Sequence, residues 1–361
     1  MISSALKALN ANRLKTILIY LSLIFSITSI FLISSISNGI ISMYSSMLKS
    51  DGDIIITQAK ISDTFFSNVD INLIEKIDKI SNIKDSSAII LGASPVESLP
   101  IVAVYGVTKN RFINYKLIKD SYPNDNEVLV GQSIYKQLKN KNSIEIANRT
   151  FKVSGVFQSE IGFENGGVIL NIKEAGKIFN KSASMIMVNS KIDTNIEKLI
   201  KDISSLSSKI EVKSTNSFVD NYNQFKIIQT SSNAISFIAF AMGLLGIVSI
   251  MSITINQRKS EFGIKRAIGI PMKKIVFQII SESFILGFFS FISAFFLSNI
   301  VLYFIKSSSH LQGYVNGEIS SNLTLYIFFT SIIMAILGSV IPALNAAKTD
   351  PVILIQGNKI W

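Results

Sequence analysis

Long apolar segments alternate with polar segments along the chain, and four of the apolar segments are long enough to cross a bilayer. A transmembrane helix needs roughly 20 apolar residues. The predicted spans cover residues 16–44, 227–255, 275–305 and 319–347. Only the third span contains a charged residue, Glu282. The pattern therefore predicts a polytopic membrane protein with one large polar domain, residues 45–226, between its first and second spans.

The large polar domain has a mixed helix and strand pattern, and both of its ends follow the order strand, helix, strand. These six elements are predicted at residues 53–57, 71–80, 87–91, 184–189, 194–206 and 209–213. Two βαβ-like halves of this kind predict a split, porter-like α+β subdomain. Strand patterns dominate between them, and we predict an inserted β-rich subdomain at about residues 97–180. The predicted fold class is an α-helical membrane protein with four transmembrane helices and a large α+β extracytoplasmic domain.

The short segments on one side of the predicted spans carry more lysine and arginine than acid, whereas basic and acidic residues nearly balance in the large polar domain. These basic short segments are residues 1–15, residues 256–274 between the second and third spans, and the tail at 348–361. We call residues 256–274 the basic segment. Because short basic loops stay in the cytoplasm, we predict that both termini and the basic segment are cytoplasmic and that residues 45–226 and the short loop 306–318 face the other side. This topology accounts for most of the net charge of +11 without a nucleic-acid partner.

Few residues suggest chemistry of their own. No stretch matches the phosphate-binding pattern GxxxxGK[ST], so the chain is not predicted to hydrolyse a nucleotide. It has no cysteine, and His310 is its only histidine, which argues against a zinc site of the usual kind. The acid pairs at positions 51/53 and 160/164 are interpreted as solvated surface carboxylates. We therefore predict a protein that is not an enzyme by itself and binds neither metal nor cofactor.

Glu282 lies about two turns into the third predicted span, where an unpaired carboxylate costs about 3 kcal/mol. One interpretation is a functional intramembrane acid. The other is a structural carboxylate near the cytoplasmic headgroups, bonded to Gln278 one turn earlier or to a basic residue of a neighbouring helix. The shallow and solitary position favours the second interpretation over a proton relay.

Small residues form a stripe on the second predicted span. Ala239, Gly243 and Gly246 fall on one helical face, where they allow another helix to approach closely. The stripe could form the seam of a dimer, or it could pack against another helix of the same chain. The sequence leaves both interpretations open.

Three segments carry a resemblance to a known family. Residues 5–18, ALKALNANRLKTIL, resemble the amphipathic helix that precedes the first span in FtsX-like, MacB-type ABC transporter permeases. Residues 258–271, RKSEFGIKRAIGIP, resemble that family's segment E-R-x-x-E-I-G-x-x-R-A-x-G-A, although Gln257 replaces its usual first glutamate. Gly338 and residues 342–352, PALNAAKTDPV, resemble its C-terminal pattern G-x-x-P-A-x-x-A-A-x-x-x-P-V. The resemblance covers the entire chain.

The resemblance implies a mechanotransmission permease without a fused ATPase domain. Its partners would be a cytosolic ABC ATPase that uses ATP, a second permease copy or paralogue, an extracytoplasmic partner such as a periplasmic adaptor, and the lipids of the bacterial inner membrane. The basic segment would form the coupling helix that docks on the ATPase. The candidate coupling residues are Arg258, Glu261, Gly263, Arg266, Gly269 and Pro271.

Three functions agree with this resemblance. The first is export or efflux of a substrate from the periplasm or the outer leaflet, driven by cytosolic ATP binding and hydrolysis that the permease transmits to its extracytoplasmic domain. The second is an FtsX-like regulatory scaffold that activates an extracytoplasmic partner. The third is lipoprotein release from the membrane.

The predicted topology can be tested with single cysteines, because the chain contains none of its own. An impermeant thiol reagent added to intact cells should label Asn140→Cys and should not label Lys265→Cys until the cells are opened. Labelling of position 265 alone in intact cells would reverse the topology and remove the basis for a cytoplasmic coupling helix.

Overall fold

A computed structural model describes residues 13–159, 162–307 and 317–348. These residues form two compact units. The α/β domain contains residues 38–229 and 305–307, and the helical bundle contains residues 13–37, 230–304 and 317–348. The first part of the predicted amphipathic helix, most of the short loop with His310, and most of the tail lie outside the described residues.

Helices and strands alternate in the α/β domain, whereas the bundle is helical. In chain order the elements are α1 (Arg13–Asp51), β1 (Ile54–Gln58), α2 (Leu73–Ile77), β2 (Ile83–Val96), β3 (Leu99–Val107), a 3-10 turn (Lys109–Asn114), β4 (Lys116–Asp120), β5 (Glu127–Gly131), α3 (Gln132–Gln137), β6 (Ser143–Ile146), β7 (Arg149–Gln158), α4 (Gly162–Asn165), β8 (Val168–Asn171), α5 (Ile172–Phe179), β9 (Met185–Ser190), α6 (Ile196–Ser204), β10 (Ile210–Ser214), α7 (Thr215–Asn221), α8 (Asn223–Gln257), α9 (Lys259–Ala267), α10 (Met272–Ser307) and α11 (Ser321–Lys348).

The predicted fold class is confirmed. Within the described residues, four helices, α1, α8, α10 and α11, are long and apolar enough to span a membrane, and the mixed domain lies between the first two in the chain. Helices α1, α8 and α10 extend beyond the apolar runs at both ends. They can do so because helical backbone hydrogen bonds do not require apolar side chains.

The strands of the α/β domain form one ten-stranded sheet in the described part of the chain. Its first four strands have the order β10-β1-β9-β2, and all three pairings are antiparallel. Strand β1 of the first βαβ half thus lies between the two strands of the second half. This interlocked order confirms the predicted split α+β arrangement.

The strands predicted for the insertion continue the same sheet. Strand β3 pairs with β2 in an antiparallel ladder and with β8 in a parallel one, and the order continues through β5 and β7 to β4. The turn between β2 and β3 contains Glu97 with a positive φ of 51°. The predicted helix at 71–80 is shorter, since α2 covers only Leu73–Ile77.

The sheet has a core on each face because successive side chains of a strand point to opposite sides. In β9, Ile186 and Val188 belong to one cluster of buried side chains, whereas Met185 and Met187 belong to the other. Burial on both faces explains why the central strands have continuous apolar runs instead of an alternating pattern.

A buried ion cluster lies in the α/β domain, where the sequence suggested surface carboxylates. Arg111, in the 3-10 turn, donates from Nε to Oδ1 of Asp51 over 3.1 Å and from Nη2 to Oε1 of Glu164 over 3.4 Å. All three side chains are nearly inaccessible to solvent. Arg111 also donates to the hydroxyl of Tyr115. The prediction of solvated carboxylates is wrong for Asp51 and Glu164, because distant parts of the chain fold over them.

Burial raises the pKa of the Glu164 carboxyl above its ordinary value of 4.5, although Arg111 opposes the shift. One guanidinium therefore compensates two buried carboxylates. Loss of one partner of a buried ion pair is costly because it leaves an uncompensated charge.

We expect Arg111→Met to reduce the free energy of unfolding by about 3–5 kcal/mol. The matched control is Lys141→Met, which removes the half-exposed ion pair with Glu97 and should cost at most about 1 kcal/mol. The measurement is denaturant unfolding of the purified full chain in mild detergent. Because the folded-state pKa of Glu164 is raised, the loss should be smallest in acid and grow as the pH rises through that pKa. Equal losses in both variants would contradict a stabilising role for the cluster.

Candidate functional site

The basic segment folds into a short helix with defined ends. Arg258 precedes α9, and Phe262 N donates to the Arg258 carbonyl over 3.1 Å. At the other end Gly269 has a φ of 91°, a left-handed conformation that glycine adopts readily. The amides of Gly269 and Ile270 donate back to the carbonyls of Arg266 and Lys265, which is the Schellman arrangement of a helix end.

Pro271 directly follows this turn and precedes α10. Its carbonyl accepts a hydrogen bond from Lys274 N over 2.9 Å. Proline suits this place because its fixed φ favours the first residues of a helix and its missing N–H is not needed there. Gly269 and Pro271 thus reverse the chain tightly between α9 and α10.

A buried ion pair joins the start of α9 to α10. Arg258 donates from Nη1 to Oε2 of Glu282 over 2.8 Å and from Nη2 to Oε1 over 3.3 Å. Glu282 is 4% exposed and Arg258 is 8% exposed. Two parallel donors on one carboxylate are the strongest geometry that an arginine can offer. The pair therefore neutralises both charges where water is scarce.

The network extends along the inner side of α9. Glu261 accepts from Arg258 Nε over 3.0 Å and from Lys265 Nζ over 2.7 Å. Gln278 accepts from Lys265 Nζ over 3.1 Å and donates to Glu282 Oε1 over 2.9 Å. Burial acts to raise the pKa of Glu261, but the hydrogen bonds from Arg258 and Lys265 outweigh it and lower this pKa below 4.5.

Phe262 anchors the same side of α9 in the bundle core. Its side chain is 1% exposed. The guanidinium of Arg258 lies over its ring, with Cζ 4.9 Å from the ring centroid, and Lys265 Nζ lies 5.9 Å from it. Cations at such distances are attracted to an aromatic face. The ring thus fixes the two basic side chains that hold the carboxylates.

The opposite side of α9 is exposed and partly apolar. Ile264 is 54% exposed, and Ile268, one turn later, is 73% exposed. Lys259 and Ala267 are exposed as well. Helix α9 is thus held by its charged inner side and presents two large aliphatic side chains on its outer side.

The structure brings together three of the candidate residues, Arg258, Glu261 and Glu282, in one network. Both contacts of Glu282 match the structural interpretation given above, an acid bonded to Gln278 and to a basic residue. Gly263 is buried and Arg266 is half-buried.

Sequence reasoning missed four residues of this site: Phe262, Ile264, Lys265 and Ile268. Helical spacing could have identified Ile264, Lys265 and Ile268. Glu261 and Lys265 are four residues apart, as are Ile264 and Ile268, so each pair lies on one side of a helix.

The small-residue stripe packs within the chain. A Cβ at Gly243 would lie 2.6 Å from Ser26 Oγ, and one at Gly246 would lie 2.4 Å from Ser22 Oγ. Both serines belong to α1. Ala239 packs against the core of the bundle. The glycines therefore provide room for α1 of the same chain, which agrees with the second of the two interpretations that the sequence leaves open.

Within the described residues, no group of three or more histidine, cysteine, aspartate or glutamate side chains is arranged to hold a metal ion. The chemistry of the basic segment is that of ion pairs and apolar contact. Such a surface can bind and position a macromolecule.

Comparison with known proteins assigns the chain to a family. The family of the MacB-like periplasmic core domain matches residues 16–206, which is more than half of the chain. The family of the FtsX-like permease C-terminal region matches residues 233–351. The chain is therefore a multi-pass membrane protein with an extracytoplasmic domain. It belongs to the FtsX-like ABC transporter permeases with a MacB-like periplasmic core domain.

Individual relatives are distant. An uncharacterized ABC transporter permease of Methanocaldococcus jannaschii is 24% identical over 241 residues, which cover 62% of this chain and 59% of that protein. The macrolide export ATP-binding/permease protein MacB of Mannheimia succiniciproducens is 27% identical over 33% of this chain and 18% of its own length. The match thus spans less than two thirds of either relative. The periplasmic region of MacB from Actinobacillus actinomycetemcomitans superposes with a TM-score of 0.39 at 15% identity, over 46% of this chain and 92% of that structure.

We expect Glu282→Gln to loosen α9 from the bundle, because Arg258 would lose its charged partner in a buried site. Trypsin should then cleave after Lys259, Lys265 or Arg266 at least about tenfold faster, since a loss of 1.4 kcal/mol of docking free energy already produces that factor. The measurement is limited proteolysis of the purified full chain in detergent.

Ser281→Ala is the matched control for Glu282→Gln. It changes the partly exposed neighbour of Glu282, and among the described residues the Ser281 hydroxyl bonds only the Phe277 carbonyl of its own helix. This control should be cleaved at the wild-type rate. Unchanged cleavage of Glu282→Gln would mean that the ion pair does not hold α9.

Proposed function

We propose that the chain is the permease subunit of a transporter in which α9 receives force from a cytosolic ATPase. One observation carries the proposal: α9 is held to α10 by a buried ion pair and presents Ile264 and Ile268 outward. A docked element can move a transmembrane helix only if its own attachment to that helix is stiff. The buried pair supplies that attachment, and the two isoleucines supply an apolar contact surface.

Membership of the ABC permease family supports an ATPase as the partner on this surface. Within its 361 residues the chain has no phosphate-binding loop of the Walker type. The ATPase therefore binds and hydrolyses ATP, and the permease transmits the resulting movement. The lysine and arginine asymmetry supports a cytoplasmic location for both termini and for the basic segment.

The assembly contains two permease chains, either two copies or a copy and a paralogue. Four spans per chain and the two-permease organisation implied by the family support this stoichiometry. The stripe of Gly243 and Gly246 does not supply the seam, because Ser22 and Ser26 of the same chain already fill the space. The contact between permeases lies on another face.

Export or efflux is the direction of transport that we propose. The name of the Mannheimia relative describes macrolide export, and the large extracytoplasmic domain supports work on a substrate outside the cytoplasm. The substrate is taken from the periplasm or from the outer leaflet. An extracytoplasmic partner such as an adaptor completes the path.

The coupling proposal predicts that Ile264→Asp and Ile268→Asp weaken stimulation of the ATPase that co-purifies with the chain in mild detergent. Loss of one buried aliphatic anchor at an interface costs about 1–2 kcal/mol, so we expect roughly tenfold weaker association. Arg266→Glu should have a similar effect through reversal of charge. Glu261→Ala should act indirectly, because Glu261 holds Arg258 and Lys265 in place. The measurement is ATP hydrolysis as a function of permease concentration.

Lys274→Ala is the matched control. Lys274 is an exposed cation of the basic segment that lies in α10 and outside the exposed side of α9. The control should retain full stimulation. Normal stimulation by all the α9 variants would overturn the coupling proposal, and co-purification of a cell-wall hydrolase without a transport partner would overturn the export proposal.

A further inference from the structure

An open cavity of about 320 Å³ lies within the α/β domain. Strands β2 and β3 contribute Leu91 and Ala103, α1 contributes Tyr44, and Phe225 comes from the start of α8. This volume is at the lower end of the range of small-molecule binding sites. The lining is mostly carbon. The fold thus forms a ready-made apolar pocket that the coupling mechanism does not use.

The rings around the cavity are held in fixed positions. Tyr44 lies edge-on to Phe225 with 5.7 Å between ring centroids, and Tyr222 lies edge-on to Phe225 with 5.0 Å. The hydroxyls of Tyr44 and Tyr222 are hydrogen-bonded to Thr64 over 2.8 Å and 3.2 Å. Because the hydroxyls are engaged, the rings can offer their faces and edges to a ligand without reorganisation.

Of the described residues that line the cavity, Asp63 alone is charged. Its Oδ1 accepts hydrogen bonds from Phe65 N over 2.8 Å and from the Tyr222 hydroxyl over 2.9 Å. Within the described residues, both of these hydrogen bonds reach Oδ1 and neither reaches Oδ2. Lys181 is the cation whose charge acts on Asp63, yet its ammonium donates to the Phe65 carbonyl and forms no ion pair with Asp63 in the described structure. The cavity therefore has one negative charge with an acceptor atom to spare.

We propose that this cavity binds a small lipophilic ammonium compound. The cationic group would lie against Asp63 and the neighbouring aromatic rings, which attract cations through their faces. The apolar body would lie against Leu91, Ala103 and Phe225. The carboxylate of Asp63 would repel an anionic ligand. A sugar would lose hydrogen bonds to water, because its hydroxyls would be buried against apolar side chains. Binding needs neither ATP nor an ATPase, so this proposal stands or falls separately from the coupling proposal.

Protection of an introduced cysteine tests the proposal. Ala93 lines the cavity and is exposed, so Ala93→Cys gives a reactive thiol at its wall. The purified full chain in detergent is labelled with a maleimide at neutral pH, with increasing concentrations of phenylbutylamine or of phenylbutanol, its uncharged counterpart. We expect the amine to slow labelling at concentrations at least about tenfold lower than the alcohol, as expected for one hydrogen bond to a charged group.

Ile192→Cys is the matched control, since Ile192 is 93% exposed in the same domain and does not line the cavity. Neither compound should slow its labelling. Asp63→Asn should remove the advantage of the amine over the alcohol while its side-chain oxygen still accepts from Phe65 and Tyr222. Gln224→Glu, which adds a carboxylate to the lining, should strengthen protection by the amine and provides a test if Asp63→Asn does not fold.

Two results would overturn the proposal. Equal protection by amine and alcohol that is unaffected by Asp63→Asn would show an apolar cavity without selectivity for cations. Protection of position 93 by added phospholipid, with no further effect of the amine, would show that a lipid acyl chain occupies the cavity.

Discussion

The ion pair between Arg258 and Glu282 is the interaction on which the basic segment depends. A carboxylate in an apolar helix bundle is costly alone, and a guanidinium beside it removes most of that cost only when the geometry is close and the remaining donors are used. Here the other donors of Arg258 reach Glu261, and its planar group lies over Phe262. Every side chain of the network thus contacts another one in it, and these contacts give α9 one defined position on α10.

The same physical rule governs the α/β domain. Arg111 compensates Asp51 and Glu164 in a site that is as dry as the core around it. Asp51 is the last residue of α1, so the cluster fixes the end of that long helix among the strands of its own domain. The cost of desolvation offsets much of the attraction within such a buried pair, whereas removal of one partner leaves an uncompensated buried charge. Both clusters occur where a helix end must be held in a single place.

The carboxylate of Asp63, beside the cavity, differs from the carboxylates in these two ion clusters. Arg111 and Arg258 satisfy their carboxylates within the protein, whereas Asp63 keeps one oxygen without a described donor. The difference arises from the surroundings: the carboxylate of Asp63 is partly exposed at the edge of an aromatic wall, where solvent or a ligand can complete its contacts.

The sequence by itself determined the four spans, most of the strands and the basic segment, because hydrophobic periodicity and charge asymmetry are local properties of the chain. The motif of residues 258–271 also indicated the family before any contact was known. Only the tertiary structure decided which groups meet. Glu282 is 24 residues from Arg258, Glu164 is 53 residues from Arg111, and Gly243 faces a serine of α1. Contacts between residues so far apart in the chain depend on how helices and strands pack, and local sequence patterns do not predict that packing. For this reason the sequence could suggest Gln278 as a partner of Glu282 but could not say which basic residue reaches that carboxylate or which helix the glycine stripe faces.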